Sequence, residues 1–257
     1  MRVVIKIGTS TLAHSTGCLN VKRFSELCRT IADIKNSGIE IILVSSGAIG
    51  LGVGKLHLPS RPKDIAGKQA CAAVGQCELM YIYDREFALY NHSVAQILLT
   101  APDLSCDDRR EKFKGTLARL LEYKILPIIN ENDTVATEEI VFGDNDTLAA
   151  EVAVATDADL LILLSDIDGL YDKNPKEHKD ARLIPTVSAV TEEIEALGGG
   201  SGSSLGTGGM HTKLSAAKIA NANGCEMIIT NGDSPENLYK IFAGEAVGTK
   251  FLAGKRG

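Results

Sequence analysis

The chain predicts an α/β fold built around a mainly parallel sheet. Short apolar runs at residues 39–44, 125–129 and 160–164 read as buried strands, since strands covered on both faces lose the polar alternation of half-exposed ones. Each run is followed by a stretch with helical periodicity, able to return the chain to one end of a sheet. Polar residues collect just beyond these runs, and in an open α/β sheet ligands lie outside the carboxyl ends of the strands. With 257 residues, 44% of them hydrophobic, the chain suffices for one large α/β domain or two small ones.

The first run, residues 2–8, is β-branched and ends in Gly8-Thr9-Ser10. Its one internal charge, Lys6, is costly to bury unless it meets an anion; the alternative is an edge strand with Lys6 in water. The small residues that follow favour phosphate contact, because they let backbone N–H groups approach closely. Residues 20–37 form an amphipathic helix with Asn20 as N-cap, Gly38 just past its end and Phe24, Leu27, Cys28, Ile31 and Ile34 facing the core. The strand at 39–44 runs into Ser45-Ser46-Gly47-Ala48-Ile49-Gly50, a strand–loop–helix turn of the kind that offers free N–H groups to an anion. Neither a dinucleotide-binding glycine fingerprint nor a Walker P-loop is present.

Residues 62–91 are expected to be helical, with Ala70, Val74, Cys77 and Tyr81 on one face; 93–100 a strand; and 103–124 one charged helix. The stretch 130–151 then holds two acidic-amide clusters, Asn130-Glu131-Asn132-Asp133 and Asp144-Asn145-Asp146. Asn and Asp also make turns and N-caps, and Asp144 suits a cap. Seven such side chains at a strand end and a helix start point to a ligand instead. Residues 138–142, between the clusters, read as a small β excursion, and 144–156 as a helix. The strand at 160–164 ends in Ser165-Asp166, again at the ligand edge, and 172–182 reads as an exposed loop. Residues 198–210, with seven glycines, are either a flexible linker or a phosphate loop. The helix expected at 213–223, carrying Lys213 near its start and Leu214, Ala217, Ile219 and Ala220 as apolar positions, favours the loop. A strand at 225–230, a helix at 235–243 and a last strand at 248–252 complete the order.

The net charge is −6 and the pI about 5.5. No basic tail or arginine stripe is present, which argues against nucleic acid. No apolar run approaches a membrane span, and residues 2–7 read as a strand rather than a signal peptide. The six cysteines show neither CxxC nor Cys/His metal spacing, so reduced thiols in a cytoplasmic protein are expected.

In order, Lys6-x-Gly-Thr-Ser, Ser-Ser-Gly-Ala-Ile, Asn-Glu-Asn-Asp, Gly-Asp-Asn-Asp, Ser-Asp-x-x-Gly-Leu-Tyr and Gly-Thr-Gly-Gly-Met-x-Thr-Lys resemble the amino acid kinase family. The clusters at 130–133 and 143–146 and the loop at 206–213 look like those of its glutamate-phosphorylating members. The resemblance covers essentially the whole chain. It implies a three-layer αβα sandwich forming one domain over 1–257, with an amino-acid lobe to about residue 155 and a nucleotide lobe from about 156. A C-terminal module of the PUA type, carried by many members, is expected to be absent. The activity implied is ATP-dependent phosphorylation of the γ-carboxylate of L-glutamate, the first step of proline biosynthesis. Lys6, Lys213 and Asp146 would be catalytic, with Asp146 holding the lysines. Ser46, Asp133 and Asn145 would bind glutamate. Lys6, Ser165, Asp166, Thr207, Gly208, Gly209, Met210, His211, Thr212 and Lys213 would bind ATP. Mg²⁺ would arrive on the ATP phosphates, with no protein metal ligand assigned. Proline would be a feedback inhibitor, the chain a homo-oligomer, and γ-glutamyl phosphate reductase a transient partner. The alternatives are an acetylglutamate, aspartate or uridylate kinase, or a non-catalytic amino-acid sensor on the same fold.

Overall fold

In this computed structural model, which describes residues 1–14, 18–136, 145–199 and 209–254, five of the six residues of β1 (Arg2–Ile7) are buried. Such a strand lies inside a sheet covered on both faces. It pairs in parallel with β2 (Glu40–Ser45) on one side and β5 (Leu160–Ser165) on the other. Beyond β2 lie β4 (Leu126–Glu131) and β3 (Val94–Leu99), and beyond β5 lies β7 (Glu226–Asn231), all parallel. β8 (Thr249–Phe251) is antiparallel to β7, and the two-residue β6 (Thr186–Val187) pairs in parallel with β8. The eight strands run in the order β3-β4-β2-β1-β5-β7-β8-β6.

The reversed direction of β8 was not anticipated. The helix before it, α10 (Asn237–Phe242), has six residues, or about 9 Å of length. It is too short to carry the chain back along β7, which spans about 20 Å.

Pleating separates two cores. Val3, Ile5 and Ile7 pack with α2 (Val21–Asn36), α4 (Ile65–Ala88) and α10. Val4, on the opposite face, packs with α6 (Asp107–Glu122), α7 (Asn145–Ala155) and α9 (Met210–Ala222). These layers make the three-layer αβα sandwich, and Lys6 belongs to the face of α7 and α9.

The α2 reading holds: Asn20 accepts from the Arg23 N–H at 3.2 Å, its five expected apolar residues are buried, and Gly38 adopts φ +97°. The expected face of α4 is its outward one: Ala70, Cys77 and Tyr81 are exposed and Val74 half-buried. The buried face instead carries Cys71, Gly75, Leu79 and Ile82. The reason is α3 (Ala48–Lys55), which crosses α4 so closely that a Cβ on Gly75 would sit 1.7 Å from the Ala48 carbonyl oxygen. Only glycine tolerates that approach.

The helix expected over 103–124 is two, α5 (Ala101–Ser105) and α6, broken at extended Cys106. Asp103 closes the first by accepting the Thr100 N–H at 2.7 Å, a capping-box contact. Two short helices, α1 (Thr9–Leu12) and α8 (Glu192–Ala196), and strand β6 were not foreseen. The β excursion at 138–142, the Asp144 cap and residues 200–208 of the glycine-rich stretch lie outside the described residues. None of the six cysteines is in a disulfide.

Candidate active site

Strands β1, β2, β4, β5 and β7 all end at one edge of the sheet, and the chemistry-bearing residues collect there. Lys6 projects from β1 onto the face where α7 begins. Its Nζ lies 2.6 Å from Oδ1 of Asp146, in the first turn of α7. From α9, Lys213 Nζ lies 2.9 Å from Oδ2 of the same carboxylate. Asp146 is 0% exposed and the two lysines 8% and 6%. Burial opposes ionisation of Asp146, but the Lys6 charge and then the Lys213 charge prevail and hold its carboxyl well below the usual carboxylate range. Two ammonium groups thus share one carboxylate, leaving this triplet a positive surplus that suits an anion.

The surroundings fix these groups. The Thr212 hydroxyl lies 2.7 Å from the Gly209 carbonyl and 3.1 Å from Asp146 Oδ2. At Gly8 the backbone passes between the end of β5 and the Lys6 ammonium. A Cβ there would stand 3.3 Å from the Leu164 carbonyl and 3.7 Å from Lys6 Nζ.

One residue before Asp146, the Asn145 amide nitrogen reaches the Ser45 carbonyl at 2.7 Å, Ser46 Oγ at 2.8 Å and Asn130 Oδ1 at 3.0 Å. The network continues in one direction. Asn130 Nδ2 donates to Gln76 Oε1, and Gln76 Nε2 donates to Gln96 Oε1, each at 2.9 Å. Asn130 Oδ1 also accepts the Glu131 N–H at 2.9 Å. Because each amide gives through nitrogen and receives through oxygen, the series orients Asn145 with its nitrogen toward the sheet edge and its oxygen away from it.

Beside this series lies a cavity of about 450 Å³, lined by Gln76, Gln96, Met80, Glu131, Asn132 and Asp133 among others. Burial raises the Asp133 carboxyl above its ordinary value, with the Arg61 charge pulling the other way. A half-buried carboxylate held in this way gains from a cationic ligand.

The structure therefore brings Lys6, Asp146, Thr212 and Lys213 together, and joins Ser46 to Asn145. Asp133 makes no hydrogen bond to either of those two among the described residues, and faces the cavity instead. Ser165 ends β5, its Oγ 3.2 Å from Asp166 Oδ1. Gly209 caps α9, whose first residues are Met210, His211, Thr212 and Lys213. Thr207 and Gly208 lie outside the described residues. Sequence reasoning did not single out Gln76 and Gln96. Each is an uncharged amide amid apolar neighbours; Gln76 is buried and so needs partners, whereas Gln96 is exposed. Among the described residues no three His, Cys, Asp or Glu side chains stand together as a metal site, and both Asp146 oxygens face ammonium groups. No helix among them is long and apolar enough to cross a membrane.

The chain is similar to known proteins. The model of the amino acid kinase family matches residues 1–231. A glutamate 5-kinase of Clostridium perfringens is 51% identical, the match covering 99% of this chain and 96% of that protein. A glutamate 5-kinase of Clostridium acetobutylicum is 55% identical over 98% of this chain and 94% of its own length. Among solved structures, carbamate kinase from Giardia lamblia bound to AMP-PNP matches with a TM-score of 0.68, covering 98% of each chain at 19% identity, a likeness of fold alone. The chain belongs to the amino acid kinase family.

Proposed function

We propose that this protein transfers the γ-phosphoryl group of MgATP to the γ-carboxylate of L-glutamate, giving L-glutamyl 5-phosphate and ADP, the first step of proline biosynthesis. The observation that carries the reading is the buried Asp146 bridging Lys6 and Lys213 beside an amide-lined cavity. Relatives at 51% and 55% identity that are named glutamate 5-kinase support the choice of substrate.

The nucleophile is a carboxylate, ionised at neutral pH, so no general base is required. The obstacle is charge: one anion must approach the phosphoryl of another. Positioning and electrostatic stabilisation then supply the catalysis. Lys6 and Lys213, one from each half of the chain, flank the transferring phosphoryl, and Asp146 holds both in place. Asp133 takes the α-ammonium, while Ser46 and Asn145 position the rest of glutamate. Ser165, Asp166 and residues 207–213 hold the nucleotide. The amino-acid lobe is residues 1–155 and the nucleotide lobe 156–257. Mg²⁺ enters as part of the substrate and neutralises β- and γ-phosphate oxygens.

The same reading extends to proline as feedback inhibitor, a homo-oligomer, a cytoplasmic location and transient encounters with γ-glutamyl phosphate reductase. The product supports the last of these. Its α-amine attacks its own acyl phosphate with high effective molarity, so rapid consumption limits loss to 5-oxoproline.

The test is a hydroxamate assay with MgATP and separate glutamate, acetylglutamate, aspartate and UMP. Product with glutamate well above the others supports the proposal. Turnover with another acceptor, or none with any, refutes it.

A further inference from the structure

Three chain reversals meet at the end of the sheet opposite the active site. After α2 the chain turns at Gly38 (φ +97°), after α4 at Asn91 (φ +59°) and after α6 at Lys124 (φ +60°). Strands β2, β3 and β4 begin just beyond. The reversals border an open cavity of about 480 Å³ whose lining includes Lys35, Glu40, His92 and Lys124. β2 separates it from the catalytic edge: Glu40 at one end lines this cavity, and Ser45 at the other meets Asn145.

The cavity is cationic in a chain of net charge −6. Lys35 is held below its ordinary value by burial and then by the Lys124 charge, with Glu40 opposing. The Glu40 carboxylate is engaged by Arg2 at 3.1 Å. Neither the Lys35 nor the Lys124 ammonium group has a hydrogen bond or an ion pair among the described residues. His92, lowered from its ordinary value by burial and then by the Lys35 charge, bonds the Ala32 backbone and has a buried Nε2 with no hydrogen-bond partner; that nitrogen donates to an anion once the ring takes up a proton. Lysines at helix ends commonly offset the terminal carbonyls of their own helix. Here two ammonium groups, one from the last turn of α2 and one from the turn after α6, line one cavity, bond no carbonyl and repel each other. Ammonium groups only donate, so a ligand they share is an acceptor-rich anion. The volume falls in the range of small-molecule sites, and so suits a metabolite-sized ligand.

We propose that this cavity is a second ligand site, which takes a small oxyanion bearing phosphate or carboxylate groups between Lys35, Lys124 and His92.

The test uses the full chain and reads the imidazole resonances by NMR, with His92 assigned through His92→Gln. Inorganic phosphate and citrate are titrated separately. His211, at the nucleotide site, reports binding there, and His178, on an exposed loop, reports general ionic effects. The His92 signal is expected to move saturably with one of the two probes, and the probe that binds tighter names the headgroup. The double variant Lys35→Met/Lys124→Met should weaken that response by about tenfold or more, while the His211 response stays the same. If the double variant does not fold, the exposed Lys124→Gln is read instead and should weaken the response several-fold. A His92 signal that moves with neither probe, or moves equally in the wild type and the variant that folds, overturns the proposal.

Discussion

At Asp146 one carboxylate answers two ammonium groups, so its replacement acts on stability and chemistry together. Asp146→Asn leaves Lys6 and Lys213 buried without their counter-charge. Breaking a buried pair in this way costs about 3–5 kcal/mol, which a urea titration would read. Because the folded pKa of Asp146 is depressed, its stabilisation is present above the unfolded value, about 3.9, and is lost as pH falls below it. The acid-unfolding limb should therefore flatten in the variant. Lys213→Ala should lower kcat by about two to three decades with little change in the KM for glutamate; a variant keeping most of its kcat would remove Lys213 from the mechanism. Asp133 runs the other way. Its raised pKa means stability is fullest below the unfolded carboxylate value and is lost as pH rises through the folded one. Asp133→Asn should therefore raise the melting temperature of the ligand-free protein at neutral pH by a few degrees while raising the KM for glutamate. An unchanged KM would take Asp133 out of the glutamate pocket. The burial of Lys6 was legible because an apolar strand with one lysine has few places to put it. The desolvation of Asp133 was not, since it depends on the walls of a cavity built from four separate elements, α3, α4, β3 and β4.

At the scale of elements, the amide series from Asn145 through Asn130 and Gln76 to Gln96 couples α7 to β4, α4 and β3. Gln76→Leu removes its middle member and strands the Asn130 amide in a buried place, at a cost of about 1–3 kcal/mol. The KM for glutamate should rise while the KM for ATP holds, as steady-state kinetics would show; equal changes in both would mean general loosening. Asn130 stood out in the sequence because it sits in a polar cluster at a strand end. Gln76 did not, because nothing local marks which face of α4 is buried. Its helical pattern is weak, and the deciding contact is the close crossing of α3 at Gly75. The antiparallel β8 was hidden for a similar reason: strand direction follows from the length of α10 measured against β7, not from the apolar character of either strand.

For the whole molecule, parallel pairing of β1 with β5 places the first strand of the chain beside the first strand of the proposed nucleotide lobe. That register lets Lys6 and Lys213 reach one carboxylate although 207 residues separate them in sequence, the difference of their two positions. The alternation of strands and helices made the sandwich legible at this scale, since each apolar run needs cover on both sides. A last strand at 248–252 was legible and is β8, but β6 was not, because a run of two residues carries almost no periodic signal. The central claim is that the γ-carboxylate of glutamate attacks the γ-phosphorus of ATP. The most direct measurement supplies glutamate labelled with ¹⁸O in its γ-carboxylate and follows the released phosphate by ³¹P NMR. When the acyl phosphate cyclises, the α-amine attacks carbon, the C–O bond breaks and the bridging oxygen leaves on phosphorus. The account predicts inorganic phosphate carrying one ¹⁸O, together with 5-oxoproline. Unlabelled phosphate, or ADP formed at the same rate without glutamate, would contradict it.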